Sequence, residues 1–362
     1  KAMKVRAIVE DDVPGVAALF ARVRPDHGWC TRGECEQYFR FALFRHPWRN
    51  LHAPSWAVED EGRIVGFYLL MPRPMSLRGR ALVAAVGCQI AVEPEPRYAL
   101  AALQLLQACL GGPQDLTFAD GADPRSRQMW LAVNGAAPVL LNLAWTRLLR
   151  PARYALALLE EHAVLPSLLS RAARPFCAPL DAAAGTLRWN RRWRESDELV
   201  ERTLDAATMF AYLGEVIGGR ALEPVYDHAS LRWVLDEAAR KKLGQWRARS
   251  VHRGRELLGW YLYYARRGGT SEVVQIAARN GAFDAVLKRL LADAWHQGVA
   301  ALRGRVDPRY LDELSANHCW FRREGTSVLV HSRHADVLEA LQRGDTFLSR
   351  LEGEWYLRFL DG

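Results

Sequence analysis

The residues from Cys88 to Leu106, CQIAVEPEPRYALAALQLL, have the layout of a nucleotide-binding turn. A β-like run ends at Val92, a proline-rich turn follows, then Arg97, then an apolar helical pattern. Such turns hold a phosphate between backbone N–H groups and the positive end of a helix. Three other side chains have types suited to moving a proton: Asp120 and Glu93 at the ends of expected strands, and His27 in the loop after the first expected helix. A carboxylate or imidazole in such a place can take a proton from a nucleophile. Each also has a structural reading, as a turn residue before Gly121, a solvated glutamate and a surface histidine. No Ser-His-Asp order, paired-carboxylate motif or P-loop is present. Cys88 alternates within a strand and reads as a small core residue. His27, Cys30, Cys35 and His46 match no standard zinc spacing, so no metal is expected. The six cysteines form no C-x-x-C pair, so no disulfide framework is expected either.

The elements that must position these residues come in two rounds. GRIVGFYLL (Gly62 to Leu70) reappears as GRELLGWYLYY (Gly254 to Tyr264), each a strand after a polar hairpin turn. CQIAV (Cys88 to Val92) is matched by VQIAA (Val274 to Ala278), and each precedes an irregular turn and a helical pattern. Upstream, EQYFRFALFRHP parallels HASLRWVLDE, both aromatic-rich helices. The first round reads as strand Val5–Val9, a helix from Asp11 or Asp12, helix Glu34–Phe44, strands at 55–59, 64–71 and 82–92, helix Ala99–Leu110, strand Leu116–Ala119, helix Arg125–Val133 and a last strand within Val139–Trp145. The second reads as strand Thr186–Trp193, helix Asp197–Ile217, helix Ala229–Arg240, strands at 245–251, 256–264 and 273–277, helix Phe283–His296, strand Val299–Arg305, helix Tyr310–Asn317, strand Ser327–His331, helix Ala335–Leu341 and strand Glu354–Phe359. Between them, residues 150–185 are helical with proline breaks, which suits a packed connector.

The 362 residues are half apolar and a quarter charged, a globular composition with room for two domains. No apolar run is long enough to span a bilayer, and KAMKVRAIVEDD holds no signal-peptide stretch, so the expected location is cytoplasmic. The net charge of +8 suits a phosphate-bearing partner. Its densest cluster, RWNRRWR (Arg188 to Arg194), interleaves Arg with Trp. No nucleic-acid-binding motif accompanies it, so nucleic acid is not the expected partner.

The order β-α-α-β-β-β-α-β-α-β, run through twice, resembles the GNAT superfamily of acyl-CoA-dependent N-acyltransferases, in the arrangement where two such domains share one chain. VRAIVEDDVPGVAALF is similar to the family's opening strand and helix, IAVEPEPRYALAALQLL to its coenzyme loop, and RSRQMWLAVNG to the helix before its last strand pair. The resemblance implies an α/β fold of two tandem GNAT-like domains, each a mixed, mostly antiparallel central sheet flanked by helices: 3–150, a helical connector 151–185, and 186–362. It implies acetyl-CoA or another acyl-CoA as co-substrate, and as acceptor an amine on a small molecule, a sugar or a cell-envelope precursor. Ile90, Ala91 and Val92 would offer the N–H that polarises the thioester carbonyl. Arg97, Tyr98, Ala99, Leu100, Ala101 and Ala102 would cradle the pyrophosphate. In the family pattern Q/R-x-x-G-x-G/A, Arg97 and Ala102 fit and Leu100 replaces the central glycine. In the second round Arg279 and Ala282 fit, while Asp284 sets a carboxylate where glycine or alanine belongs, which implies a degenerate, structural or acceptor-binding domain. The family's thiolate-protonating Tyr aligns with Trp130, and an indole is no acid. The resemblance leaves Asp120, Glu93 and His27 as base candidates, His27 in the loop that borders the family's acceptor site. The alternative is an inactive GNAT-fold binding or scaffold protein, favoured by Leu100, Trp130 and Asp284.

Overall fold

The computed structural model describes residues 3–23, 31–161, 175–183 and 198–354. Among these, the strands are β1 (Lys4–Ala7), β2 (Trp56–Asp60), β3 (Arg63–Leu77), β4 (Arg80–Val92), β5 (Leu116–Ala122), β6 (Leu143–Leu148), β7 (Leu199–Thr203), β8 (Leu222–Pro224), β9 (Gln245–Arg253), β10 (Glu256–Ala265), β11 (Thr270–Ala278), β12 (Ala301–Arg305), β13 (Trp320–Arg323) and β14 (Ser327–Ser332). The first helices are α1 (Val13–Val23), α2 (Arg32–Phe44), α3 (Ala101–Leu110) and α4 (Pro124–Ala132). Later helices are named by their residues.

Contacts gather the chain into two units, each with its own sheet. The first draws on residues 1–142, 220–237 and 325–361, and its sheet runs β1-β2-β3-β4-β5-β14, with β8 against β3. Only β4 and β5 are parallel. Local chemistry sets its elements. Val13, Val16, Ala17 and Phe20 fall at i, i+3, i+4 and i+7, and this face of α1 is buried. Asp12 accepts from the Val9 N–H at 2.8 Å and fixes the entry to α1. Thr31 and Glu34 close a reciprocal capping box at the start of α2. β3 is buried without a break from Ile64 to Pro72, as expected of a central strand covered on both faces. Phe20, Phe39 and Phe67 join α1, α2 and β3 edge to face, with centroids 5.3 Å apart in each pair.

The second unit draws on residues 143–219 and 238–324, and its sheet runs β13-β6-β12-β11-β10-β9-β7. Its one parallel pair is β11 with β12. The helix Phe283–His296 lays Phe283, Val286, Leu287, Leu290 and Leu291 against β10 and β11. Each repeated hairpin turns on a glycine with a left-handed backbone, Gly62 at φ 78° and Gly254 at φ 60°. There a Cβ would be strained.

The α/β class with mixed, mostly antiparallel sheets is as expected. The contiguous division at 150 and 186 is not what the contacts give. β6, read as the last strand of the first round, pairs with β12 and β13 in the second sheet. β14, read as belonging to the second round, pairs with β5 from Ser332↔Leu116 to Ser327↔Ala122. The two sheets thus exchange one strand. Buried Asn142 sits at the crossing. Its amide donates to Val328 O at 3.0 Å and its oxygen accepts from Val328 N–H at 2.8 Å, tying β14 to the first sheet just before the chain leaves it. The expected helix Asp197–Ile217 is instead β7 followed by the short helices Ala206–Ala211 and Leu213–Ile217, because Asp205 caps a new helix by accepting from Thr208 N–H at 2.8 Å. The expected strands at 186–193 and 354–359, and the RWNRRWR cluster, fall wholly or largely outside the described residues. Cys35 is disulfide-bonded, although no disulfide framework was expected.

His46, just past α2, is 4 % exposed. Burial above all, then the Arg73 guanidinium, lowers its pKa to about 4, with Arg49 adding to the effect and the Leu43 backbone opposing it. Between that value and the ordinary ~6.5 the unfolded chain holds the extra proton, so acid favours unfolding. Stability present above about pH 6.5 should be lost on going down toward pH 4, by up to ~1.4 kcal/mol per pH unit. Urea midpoints of wild type and His46→Asn from pH 7 to 4.5 check this. Equal slopes for the two proteins would refute the assignment.

Candidate active site

β5 runs beside β4 only at Ala84↔Leu116, Ala85↔Thr117 and Val86↔Phe118, then turns away with β14. From Gly87 to Val92, β4 keeps β3 as its one partner strand among the described residues. In such a strand alternate N–H groups point away from the partner. Here they face the opening between β4 and β5. Cys88 is the extra residue of a bulge, since Leu69 pairs with Gln89 and Leu70 with Gly87.

A cavity of about 130 Å³ fills this opening. Its walls come from Tyr68 on β3, Gly87 to Ile90 on β4, Ala119 and Gly121 on β5, Asp123 and Trp130 at α4, and Glu354. Tyr68 lies over Gly87, where a Cβ would overlap the phenolic oxygen. Burial, with Cys109 and Glu354 nearby, raises the Tyr68 pKa well above the ordinary value, while a polar contact with the Trp130 indole opposes it. The phenol therefore keeps its proton at neutral pH. Burial first, then Glu354 and Asp120, pushes the Cys88 thiol up as well, so it is a poor nucleophile.

Beyond β4, the chain makes a short helical turn at Pro96–Tyr98 and enters α3. Leu100 has φ −91° and ψ −8°, ordinary helical backbone, and is 63 % exposed. Substituting the family's glycine therefore strains nothing here, and the side chain fills no cleft. The first α3 bond runs from Gln104 N–H to Leu100 O at 3.0 Å. That leaves the N–H groups of Ala101, Ala102 and Leu103 without a helical acceptor, and Leu100 provides no side-chain cap. Arg97 donates to Glu95 at 2.8 Å and lies 3.8 Å from Asp60. Tyr98 is buried and donates to Asp60 at 2.8 Å. An anion at α3 would meet Arg97 in competition with two carboxylates.

The expected site residues scatter. Ile90 lines the cavity, whereas Ala91 is buried among the α1 and α2 side chains. Val92 packs on the α3 side, Ala99 is exposed at the turn and Ala101 is buried under it. Glu93 pairs with Arg22 at 2.9 Å, and that guanidinium holds its pKa below the ordinary value, which makes it a weaker base. Asp120 is 0 % exposed, and its Oδ1 accepts from the Glu354 N–H at 2.9 Å. His27 lies outside the described residues. Sequence reading missed Tyr68 and Glu354. The repeated hairpin contained Tyr68 but gave it no chemical role, and Glu354 carried no local signal.

The second unit has a splay of its own. β11 pairs with β12 only over residues 270–272 and continues to Ala278. Phe283 stacks on Tyr310 there with centroids 3.8 Å apart, and Tyr310 donates to Ala278 O at 3.5 Å. Arg279 is paired with Glu215 and Glu256. Asp284 is held by Lys288 at 2.5 Å and Asn317 at 2.8 Å. Among the described residues no group of three His, Cys, Asp or Glu side chains gathers as for a metal, and no helix is long and apolar enough to cross a membrane.

This architecture matches the GNAT fold. A conserved protein of Enterococcus faecalis, described as a "Probable N-Acyltransferase" of unknown function, aligns with TM-score 0.58 at 12 % identity over 92 % of this chain and 73 % of its own. A GCN5-related N-acetyltransferase from Anabaena variabilis aligns with TM-score 0.56 at 10 % identity, over 94 % and 75 %. One from Kribbella flavida aligns with TM-score 0.51 at 12 % identity, over 94 % and 73 %. No protein-family model matches the sequence, and no curated protein matches it.

Proposed function

We propose that the protein is an acyl-CoA-dependent N-acyltransferase, acetyl-CoA being the simplest donor, and that its reaction site is the cavity between β4 and β5. The observation that carries this reading is the splay itself. It leaves outward N–H groups on β4 for a thioester carbonyl, sets a protonated phenol beside them and leads to an uncapped helix N-terminus for the pyrophosphate. The acceptor is an amine on a small molecule, a sugar or a cell-envelope precursor. The second unit, with its splay filled by Phe283 and Tyr310, serves structure or acceptor binding.

Chemically, the amine nitrogen attacks the carbonyl carbon and the β4 N–H groups hold the oxyanion. The C–S bond then breaks, and the Tyr68 hydroxyl gives its proton to the departing sulfur. Tyr68 takes over, from a strand, the role that Trp130 cannot fill from α4.

Acetyl-CoA at a hundredfold excess over its dissociation constant should stabilise the fold by ~2.7 kcal/mol. Arg97→Ala should weaken binding by about tenfold, through loss of a charge-assisted contact. Leu100→Gly should bind at least as well as wild type and shift stability by less than ~1 kcal/mol, since the exposed side chain has no packing to lose. Melts and calorimetric titrations read all three. If neither wild type nor Leu100→Gly responds to acetyl-CoA, the inactive binding or scaffold reading replaces this one.

A further inference from the structure

We infer that Glu354 is the proton acceptor of the acyl-transfer step, brought into the cavity by a strap of residues 346–354 and positioned there by Asp120. The inference rests on the acyltransferase reading and names the base of that same site.

The strap belongs to the first unit and is pinned along its length. Phe347 N–H donates to Leu222 O at 2.9 Å. Arg73, buried in β3 and stacked 4.0 Å over Trp48, donates to Leu351 O at 3.0 Å. The Tyr226 hydroxyl donates to Glu352 at 2.8 Å, and Ser349 N–H donates to the same carboxylate at 2.7 Å. At the end of the strap, Glu354 N–H donates to Asp120. Any Cβ at residue 353 would overlap the Asp120 carboxylate, so Gly353 is what lets the backbone come so close. Glu354 is thereby held 8 % exposed in the cavity wall beside Tyr68 and Gly87 to Ile90. Tyr68 and Cys88, the two groups that flank the splay, line the same cavity. Asp120 itself points its oxygen at the strap backbone and is a positioning residue.

The proton path closes. The adduct formed by amine and thioester loses its N–H proton to the Glu354 carboxylate. The C–S bond breaks as the Tyr68 hydroxyl protonates sulfur. The proton then passes from the Glu354 carboxyl to the Tyr68 phenolate, leaving amide, free thiol and both side chains as they began.

The test measures coenzyme A thiol release from acetyl-CoA with ethanolamine or water as acceptor, beside calorimetric binding of acetyl-CoA. Glu354→Gln keeps the side-chain size and should lower kcat by about 100-fold or more with binding retained. It should also erase the acidic limb of the pH profile. The groups around that limb are Tyr68 and Arg73 on β3, Cys88 on β4, Asp120 on β5 and Asp123 at α4. Asp120→Asn, which keeps an oxygen for the Glu354 N–H, should lose less kcat than Asp120→Ala. Asp120→Ala and Gly353→Ala should each lose kcat with the pH limb displaced, and Asp120→Ala should cost nothing further on top of Glu354→Gln. Should Glu354→Gln not fold, Glu354→Asp keeps the charge on a shorter arm and should lose about tenfold in kcat with the limb intact. Turnover by Glu354→Gln within threefold of wild type overturns the inference and leaves the acyltransferase reading standing. Wild type that binds acetyl-CoA but releases no thiol with either acceptor also overturns it. Absence of acetyl-CoA binding removes the acyltransferase reading itself.

Discussion

Tyr68→Phe is expected to reduce kcat for acyl transfer from acetyl-CoA by about 10²- to 10⁴-fold while leaving coenzyme affinity close to wild type, the range typical of losing a positioned acid. The ring fills the space between Gly87 and Trp130 with or without its hydroxyl, so packing survives the change. What disappears is the one phenol that the described residues bring to the cavity wall. Its raised pKa makes donation to a thiolate uphill on its own. On the proposed path that proton is replaced from Glu354, so losing either partner should cost most of the rate. Loss of one hydrogen bond should change stability by about 1 kcal/mol at most. Steady-state kinetics with a parallel titration separates the two quantities. A Tyr68→Phe protein within threefold of wild-type kcat would exclude the phenol as proton donor.

The largest stability effect is expected at Asp293, in the second unit. This carboxylate is 5 % exposed on the helix Phe283–His296 and accepts from Arg247 through two guanidinium nitrogens, Nε at 3.0 Å. It also accepts from the Tyr263 hydroxyl at 3.0 Å and from Gln297 at 3.3 Å. Asp293→Ala leaves Arg247, whose side chain is 13 % exposed, without its counter-charge in a poorly solvated place. The cost should be ~3–5 kcal/mol. Replacing both partners, Arg247→Met with Asp293→Leu, removes the charge as well as its partner and should recover most of that loss. Urea unfolding read by both tryptophan fluorescence and circular dichroism measures it. Two probes are needed because two units can unfold in separate steps. A loss below 1 kcal/mol for Asp293→Ala would mean that solvent reaches Arg247 and the pair is not a buried one.

The hairpins and the helices that follow them were legible in the sequence because they rest on local signals: a glycine where φ is positive, an alternating or continuous apolar run, a capping residue before a helix. The strand exchange was not. β6 and β14 carry the same local pattern, and which sheet each one joins is decided by partners far along the chain, Val328 for Asn142 and Phe118 for Val330. β7 was read as part of the helix Asp197–Ile217, although the segment from Leu199 to Thr203 lies along β9. At the site, sequence marked Leu100 as a conflict with the family pattern. The conflict dissolves because the backbone there is helical and the side chain faces water. Trp130 was marked as no acid, and the phenol that lines the cavity with it, Tyr68, stands on a strand rather than on the neighbouring helix turn. Glu354 could not be found by spacing at all, since 234 positions separate it from the aspartate that holds it.

The exchanged strand also bears on how the chain is made. On the ribosome the edge of β5 emerges with its final neighbour, β14, still roughly 200 residues from being synthesised, a delay of about 10–40 s at ordinary elongation rates. During that interval the nascent first sheet presents Leu116 to Ala122 as an open edge, the kind of surface on which strands from other molecules pair. A shortened gene ending near residue 150 would make that exposure permanent and would also strand β6 away from β12 and β13. The halves of this protein are therefore poor candidates for separate expression. A nascent-chain holdase, or slower synthesis of β14, should matter more for its yield than for a chain whose sheets each close in order.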